Sequence, residues 1–499
     1  MMSPWLSQAL PLAVVLVSLI AAVIIFAAGE ERRLLRIVVN LVAAGIKFAL
    51  VVWIGLSVLA GHDPEFRYEL LPGQELVLHA DALSILFASL SALLWLVTTI
   101  YAMAYLERSP NRARFFGFFS LCVTSTMGIS MAGNLFTFFL FYELLTLTTW
   151  PLVVHSGTPQ ALAAGRSYLR YTLTGGVLFL AGVIWLYGLA GSVEFMTGGT
   201  LGGLAEEHAL ELRVIFVLLV AGMGVKAALV PLHGWLPVAM VAPAPVSALL
   251  HAVAVVKAGA FALIRLVEDV YGFELVCELG LQLPLMLLAA TTIVFGSVRA
   301  LQQTSIKRRL AYSTVSQVSY IVLGIATGGL LATAGGMVHL VNQGIMKITL
   351  FFCAGVFGLA LGVNRIRELD GMGYRAPWTS ACFSVAAIGM IGVPPVAGFV
   401  TKWYLGSGAV AVGQSWVVAV LITSALLNAM YFLPLLKRMW LMRPAEGAGR
   451  AEYLGRIEHL ALVGSAVVTA SLSLAIALFA AHRLSPLSWV LGIAAEYFP

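Results

Sequence analysis

Five lysines fall inside apolar stretches of this chain: Lys47, Lys226, Lys257, Lys347 and Lys402. Only Lys307 and Lys437 fall in basic loops, whereas the 22 arginines sit mostly in loops or at the ends of apolar stretches. Arginine holds its proton under all ordinary conditions, but a buried lysine can release it. A chain that needs positive charge to come and go inside a membrane would therefore use lysine. A buried ion costs at least ~2.5–3.5 kcal/mol at mid-bilayer, so five of them call for a role. Of the 23 carboxylates, only Glu143 lies deep in an apolar stretch, NLFTFFLFYELLTLTTWPL. His251 and His339 also sit in apolar surroundings. His339, Gln343 and Lys347 follow an i, i+4, i+8 spacing and so share one helix face. Together these residues form a protonatable axis, Glu143, Lys226, Lys257 with His251, His339 with Lys347, and Lys402.

Each has a blander reading beside the chemical one. Lys47 is expected to snorkel or to pair with a backbone carbonyl. His251 is as compatible with an interhelical hydrogen bond as with proton transfer. Glu143 and Lys226 could form a purely structural buried pair, although that leaves the other lysines unexplained. The helix breakers favour the chemical reading. KAALVPLHGWLP places Pro231 and Pro237 just after Lys226, and IGVPPVAGFVTK places Pro394 and Pro395 just before Lys402. Proline removes a backbone donor, and such interruptions inside a membrane are tolerated where they border a polar cavity. Paired interruptions in the two halves of a transporter point to its ion site.

These residues need a scaffold that spans a bilayer, and the composition supplies one. The chain has 499 residues, 61% apolar and 10% charged. An ordinary soluble chain is nearer a quarter charged, so a soluble enzyme, a nucleic-acid binder and a secreted disulfide scaffold are excluded. The four cysteines, Cys122, Cys277, Cys353 and Cys382, form no CxxC pair, and no Walker or dinucleotide-binding loop occurs. No metal site, cofactor or redox centre is expected. Hydropathy predicts about fourteen spans, near 9–28, 36–60, 82–106, 115–132, 134–154, 165–190, 212–231, 238–266, 281–301, 310–328, 331–360, 377–404, 414–436 and 460–481. The segment after Pro486 is expected in the interface or packed on the bundle. Loops after odd spans are basic, for example Arg32, Arg33 and Arg36, and those after even spans are acidic, for example Asp63, Glu65, Glu69, Glu75 and Asp81. The positive-inside rule then places both termini on the outer side of a cell (inner) membrane. The net charge of +6 follows from the same rule and needs no anionic partner.

Motifs around these residues resemble a known family. VKAALVPLHGWLPVAMVAPAPVSALLHAVAVVKAGAFALIR (225–265), SIKRRLAYSTVSQ (305–317), HLVNQGIMKITLFF (339–352) and GVPPVAGFVTK (392–402) occur in order and spacing. They resemble the antiporter-like subunits shared by respiratory complex I (its L, M and N subunits), Mrp-type Na+/H+ antiporters and membrane-bound hydrogenases. The resemblance covers roughly 80–450. It implies an all-α polytopic fold of fourteen helices with two inverted five-helix repeats, each with one broken helix. The implied organisation is N-terminal helices in 1–110, a first proton half-channel in 111–270, a second in 271–440, and a last helix and tail in 441–499. By resemblance, Glu143 modulates Lys226, the proton carrier of the first half. Lys257 or His251 connects it to the central Lys347, and Lys402 is the terminal group. Val238, Met240, Ser305 and Gln343 depart from the common pattern and make the path less polar. Lys402, and a chain end without the long lateral helix of an L-type subunit, favour an Mrp-D-like or hydrogenase-type member. The implied partners are other membrane subunits of one complex and the lipid bilayer, with no nucleic acid. Protons are the implied cargo and Na+ a second candidate.

Overall fold

The structure is a computed structural model, and it describes residues 4–444 and 455–498. Arg450, one of the basic loop residues expected after the thirteenth span, lies outside them. The chain is a helical bundle of α1 (Pro4–Ala28), α2 (Arg33–Leu59), α3 (Ala82–Tyr105), α4 (Arg112–Ser130), α5 (Leu135–Val153), α6 (Pro159–Ala190) and α7 (Ala205–Lys226), then short α8 (Trp235–Val238), α9 (Ala244–Ala252), α10 (Val255–Arg265) and α11 (Phe273–Glu278). The second half holds α12 (Gln282–Leu301), α13 (Ile306–Thr327), α14 (Leu330–Leu361), short α15 (Met372–Arg375), α16 (Pro377–Ile391), α17 (Ala397–Ala411), α18 (Trp416–Leu441), α19 (Arg456–Leu478) and α20 (Pro486–Tyr497). Among the described residues, twelve helices are long and apolar enough to cross a membrane. Helix also occupies the two remaining expected spans. One is α4, which carries Ser120, Thr124, Ser125, Thr126 and Ser130, and the other is the interrupted pair α16 and α17. The chain is a multi-pass membrane protein.

Local chemistry fixes the helix ends. Asp81, Asn134 and Thr158 accept hydrogen bonds from the backbone N–H groups of Ser84, Thr137 and Ala161 at the starts of α3, α5 and α6. Gly362 ends α14 in the left-handed region. α14 is 32 residues long, about 48 Å at 1.5 Å per residue. It therefore outlasts the hydrocarbon layer and packs against α9, α13, α16, α17 and α19, which makes it the axis of the second half.

Several expectations change. The segment read as an acidic loop, 61–81, contains an antiparallel hairpin, β1 (Glu65–Leu71) with β2 (Gln74–His79). Pro72 and Gly73 make its turn, and alternation of apolar and polar residues makes its strands. Arg67 of β1 holds Glu75 at 3.2 Å and Glu194 at 2.6 Å, so two acidic loops meet at one end of the bundle. Glu268 and Asp269, read as loop residues, are buried in a π-helical turn over Leu266–Tyr271. The expected span 212–231 begins earlier, at Ala205, and its helix stops at Lys226. The span 238–266 is itself split between α9 and α10 at Val253 and Ala254, where no Gly or Pro announces a break. The span 377–404 is split over 392–396. α20 packs on the bundle: Trp489 donates to the Ala82 carbonyl at 2.9 Å and Tyr497 to Asp269 at 2.6 Å.

Candidate proton-transfer site

Helix α7 ends at Lys226 because the next residues leave helical geometry, with Ala228 at φ 58°. Close packing fixes this end: a Cβ on Gly259 of α10 would lie 2.2 Å from the Ala227 nitrogen. Freed backbone groups find partners, as a membrane interior requires. Trp235 donates to the Val225 carbonyl at 2.7 Å, and Thr292 accepts from the Val230 N–H at 3.1 Å. Pro231 lies in this break. Pro237 does not, because it sits in the first turn of α8, where a missing N–H costs nothing. In the second break, Gly392 at φ 92° ends α16, followed by Pro394 and Pro395.

Lys226 is 1% exposed. Its ammonium donates to the Tyr142 carbonyl and lies 3.4 Å from the centroid of the Tyr142 ring. The Glu143 carboxylate is 3.6 Å away and 21% exposed. A Cβ on Gly176 of α6 would meet that carboxylate at 2.6 Å, so glycine makes the room it occupies. The pair's gross attraction at 3.6 Å is about 4–5 kcal/mol at an effective dielectric near 20. Desolvation costs several kcal/mol per buried ion. The two terms are of similar size, so the pair is close to balance between attraction and desolvation.

The second cluster lies around α14. His339 Nδ1 is 3.1 Å from Thr401 Oγ1, and its ring tilts against Tyr320 at 5.3 Å. Lys402 donates to the Ile391 carbonyl and, at 3.5 Å, to that of Met390, so its charge sits at the C-terminal end of half-helix α16. Lys347 donates to the Ser313 hydroxyl and to the Leu310 carbonyl at 3.2 Å. Between the clusters, Lys257 is fully buried with no hydrogen-bond partner for its amine. It lies within electrostatic reach of both Lys347 and His339. His251 stacks on Phe351 at 4.6 Å and places Nε2 3.3 Å from Met240 Sδ.

The structure thus brings Glu143 to Lys226, and groups His339, Lys347, Lys402, Lys257 and His251. Among the described residues no direct hydrogen bond or ion pair joins Lys226 to Lys257. Lys257 Nζ, His339 Nε2 and both polar atoms of the Gln343 side chain are buried without a protein partner, which suits bridging water. Charge type alone does not single out Tyr142, Ser313, Tyr320 or Thr401. Tyr142 and Thr401 adjoin Glu143 and Lys402, and Ser313 lies within SIKRRLAYSTVSQ, so position beside a titratable residue was the available signal. Lys307, read as a loop charge, donates to the Ala242 carbonyl at 2.8 Å.

The fold and the site together define a multi-pass membrane subunit in which a carboxylate, Glu143, lies beside a buried amine, Lys226, with further buried amines in the bundle. The chain belongs to the family described as NADH:quinone oxidoreductase/Mrp antiporter, TM, which matches residues 132–427. It is similar to NADH-quinone oxidoreductase subunit N of Desulforudis audaxviator, 37% identical over 73% of this chain and 72% of that protein. It is also similar to a probable K(+)/H(+) antiporter A/B subunit of Rhizobium meliloti, 32% identical over 69% of this chain but only 34% of that longer protein. F(420)H(2) dehydrogenase subunit N of Methanosarcina mazei is 28% identical over 84% of this chain and 85% of its own length. Among solved structures, a chain of the Mrp complex from Dietzia sp. DQ12-45-1b superposes with a TM-score of 0.84 at 24% identity, covering 99% of this chain and 98% of that one. A chain of the membrane-bound sulfane sulfur reductase, an archaeal respiratory membrane complex, gives the same TM-score at 25% identity, covering 99% and 97%. These two superpositions establish the fold.

Proposed function

We propose that this chain is the proton-translocating membrane subunit of a multisubunit monovalent cation (Na+)/H+ antiporter. The observation that carries the reading is the Glu143–Lys226 pair, 3.6 Å apart where α7 is interrupted. The row of buried amines and imidazoles extends it to Lys402. When Glu143 faces Lys226, it stabilises the ammonium. When Glu143 turns to another partner, desolvation favours the neutral amine and the proton leaves through water toward Lys257 and Lys347. Return of Glu143 reloads Lys226. In this reading 111–270 and 271–440 each carry a half-channel, helices 1–3 lie in 1–110 and the last helix in 441–499. Both termini face outward from the cell (inner) membrane, and Lys226 loads from the cytoplasm. Neighbouring membrane subunits are the partners, as the Mrp complex of Dietzia suggests.

A second reading is a proton-pumping subunit of a redox-driven complex. The 37% identity to an NADH-quinone oxidoreductase subunit N favours it. Everted vesicles containing the native complex and a lumenal pH dye separate the two. A pH change on adding Na+ or K+ without an electron donor, abolished by Lys226→Ala, supports the antiporter. Acidification only on adding an electron donor, also abolished by Lys226→Ala, supports the redox pump. Full proton movement with Lys226→Ala removes both.

A further inference from the structure

The fifth intramembrane lysine does not snorkel and, among the described residues, pairs with no backbone carbonyl. Lys47 is fully buried where α1, α2, α3 and α4 meet. Its ammonium donates to the Ser18 hydroxyl, and Ser18 is 2.8 Å from the Thr124 hydroxyl. The Trp95 ring centroid lies 5.0 Å from the same nitrogen. Among the described residues no carboxylate pairs with Lys47. All four residues precede the segment that the family matches, 132–427. A buried amine without a counter-ion is a costly thing to keep for packing alone, since apolar side chains fill such space better.

Polar groups continue from Lys47 toward both ends of the bundle. On α2, Asn40 and Arg36 lie seven and eleven residues before Lys47, on the same helix face. Both are buried, and Asn40 donates to the Arg36 carbonyl at 2.8 Å. This row leads to the basic loop between α1 and α2. On α3, Ser84, Ser91, Trp95 and Thr98 share a face through seven- and eleven-residue spacings. Ser84 at its far end accepts from Arg265 at 2.9 Å, beside the Asp81 and Asp269 carboxylates. Polar atoms of Asn40, Ser91, Trp95 and Thr98 along this row are buried and have no protein partner. Unmet polar groups clustered at membrane depth are satisfied by water.

We propose that the first four helices hold a second, hydrated proton-transfer site centred on Lys47, separate from the Glu143–Lys402 row. The proposal rests on the proton-translocating reading for its purpose, not for its geometry. A proton arriving from water adds to the lone pair of the Lys47 amine. The same ammonium then releases a proton to water on the Ser91 side, so atoms and charge balance. A metal cation fits poorly, because an ammonium repels it and no carboxylate is at hand.

Two measurements on the native complex in vesicles test this. The first is hydroxyl-radical labelling with mass spectrometry, using exposed Tyr68 of β1 as the control. Trp95 is fully buried, so its oxidation requires internal water. Oxidised Trp95 supports the proposal, and unmodified Trp95 beside labelled Tyr68 overturns it. The second is proton movement in Lys47→Met and in the double variant Ser91→Ala with Thr98→Val, which keeps Lys47 and its contact with Ser18. A loss of about tenfold or more in initial rate is expected for Lys47→Met, as for removal of a proton-transfer group. A clear loss is expected for the double variant too. Wild-type rates in the double variant, or in an assembled Lys47→Met complex, overturn the site. Lys226→Ala run in parallel separates the two readings. If Lys47→Met slows transport and Lys226→Ala does not, the Glu143–Lys226 scheme falls and this site stands.

Discussion

Glu143 is 21% exposed and Lys226 is 1% exposed, so the carboxylate is the partner with room to move. The space it occupies is set by Gly176 on α6, where a Cβ would lie 2.6 Å from one carboxylate oxygen. Gly176→Ala therefore displaces Glu143 without removing any titratable group. Such a change should cut proton movement by up to about a hundredfold, the cost of misplacing a reacting group by an ångström. It should leave the amount of assembled complex nearly unchanged. Wild-type transport in an assembled Gly176→Ala complex would show that the 3.6 Å pair is not tuned by this contact. Lys402 behaves differently from Lys226. It has no carboxylate partner among the described residues and instead neutralises the carbonyl end of α16. A group held by carbonyl dipoles can give up its proton without stranding a counter-ion.

At the scale of elements, the breaks position these groups, and glycine makes the breaks possible. Gly259 of α10 packs directly on the end of α7, with Ala227 N 2.2 Å from where its Cβ would be. The clash is with backbone, so Gly259→Ala forces the two helices apart. Overpacking of this kind costs about 1–3 kcal/mol. The thermal unfolding midpoint of the purified complex should fall, and proton movement should fall with it. An unchanged midpoint would mean that the break after Lys226 tolerates separation from α10. The same elements show what could be read in advance. Pro231, Pro394 and Pro395 announced two interruptions because proline and glycine act locally. The interruption at Val253 and Ala254 carries neither residue, and it exists only because of packing between distant helices. The hairpin was legible in principle, through Pro72 and Gly73 between alternating strands, but its carboxylates drew the reading toward a loop. Charge type identified the amines and Glu143. It could not reveal that Lys47 points into the bundle, since that depends on Ser18 and Thr124 arriving from α1 and α4.

At the scale of the whole molecule, one buried cluster ties remote parts of the chain together. Arg265 at the end of α10 binds Asp81, the cap of α3, at 2.7 Å and Asp269 at 2.7 Å. Tyr497, near the end of α20, donates to the other oxygen of Asp269 at 2.6 Å. Sequence separations of 184 and 228 residues are closed at this one point. Burial alone would push the Asp81 carboxyl up, but the charge and hydrogen bonds of Arg265 outweigh it and hold the group well below the usual carboxylate range. A carboxyl lowered on folding contributes stability that is fully present above its unfolded value, about 3.9. That stability is lost progressively as pH falls from the unfolded value toward the lower folded value, and is gone below it. Asp81→Asn should therefore lower the unfolding midpoint of the complex by the same amount at every pH from about 5 to 7, well above the unfolded carboxyl value. The difference from wild type should narrow only below that unfolded value. Asp269 would still hold Arg265 in the variant, so the bundle should assemble and the comparison can be made. A wild-type advantage that already disappears in the range where ordinary carboxylates are fully ionised would mean that Asp81 and Arg265 do not share the charge-assisted bond on which this end of the bundle closes.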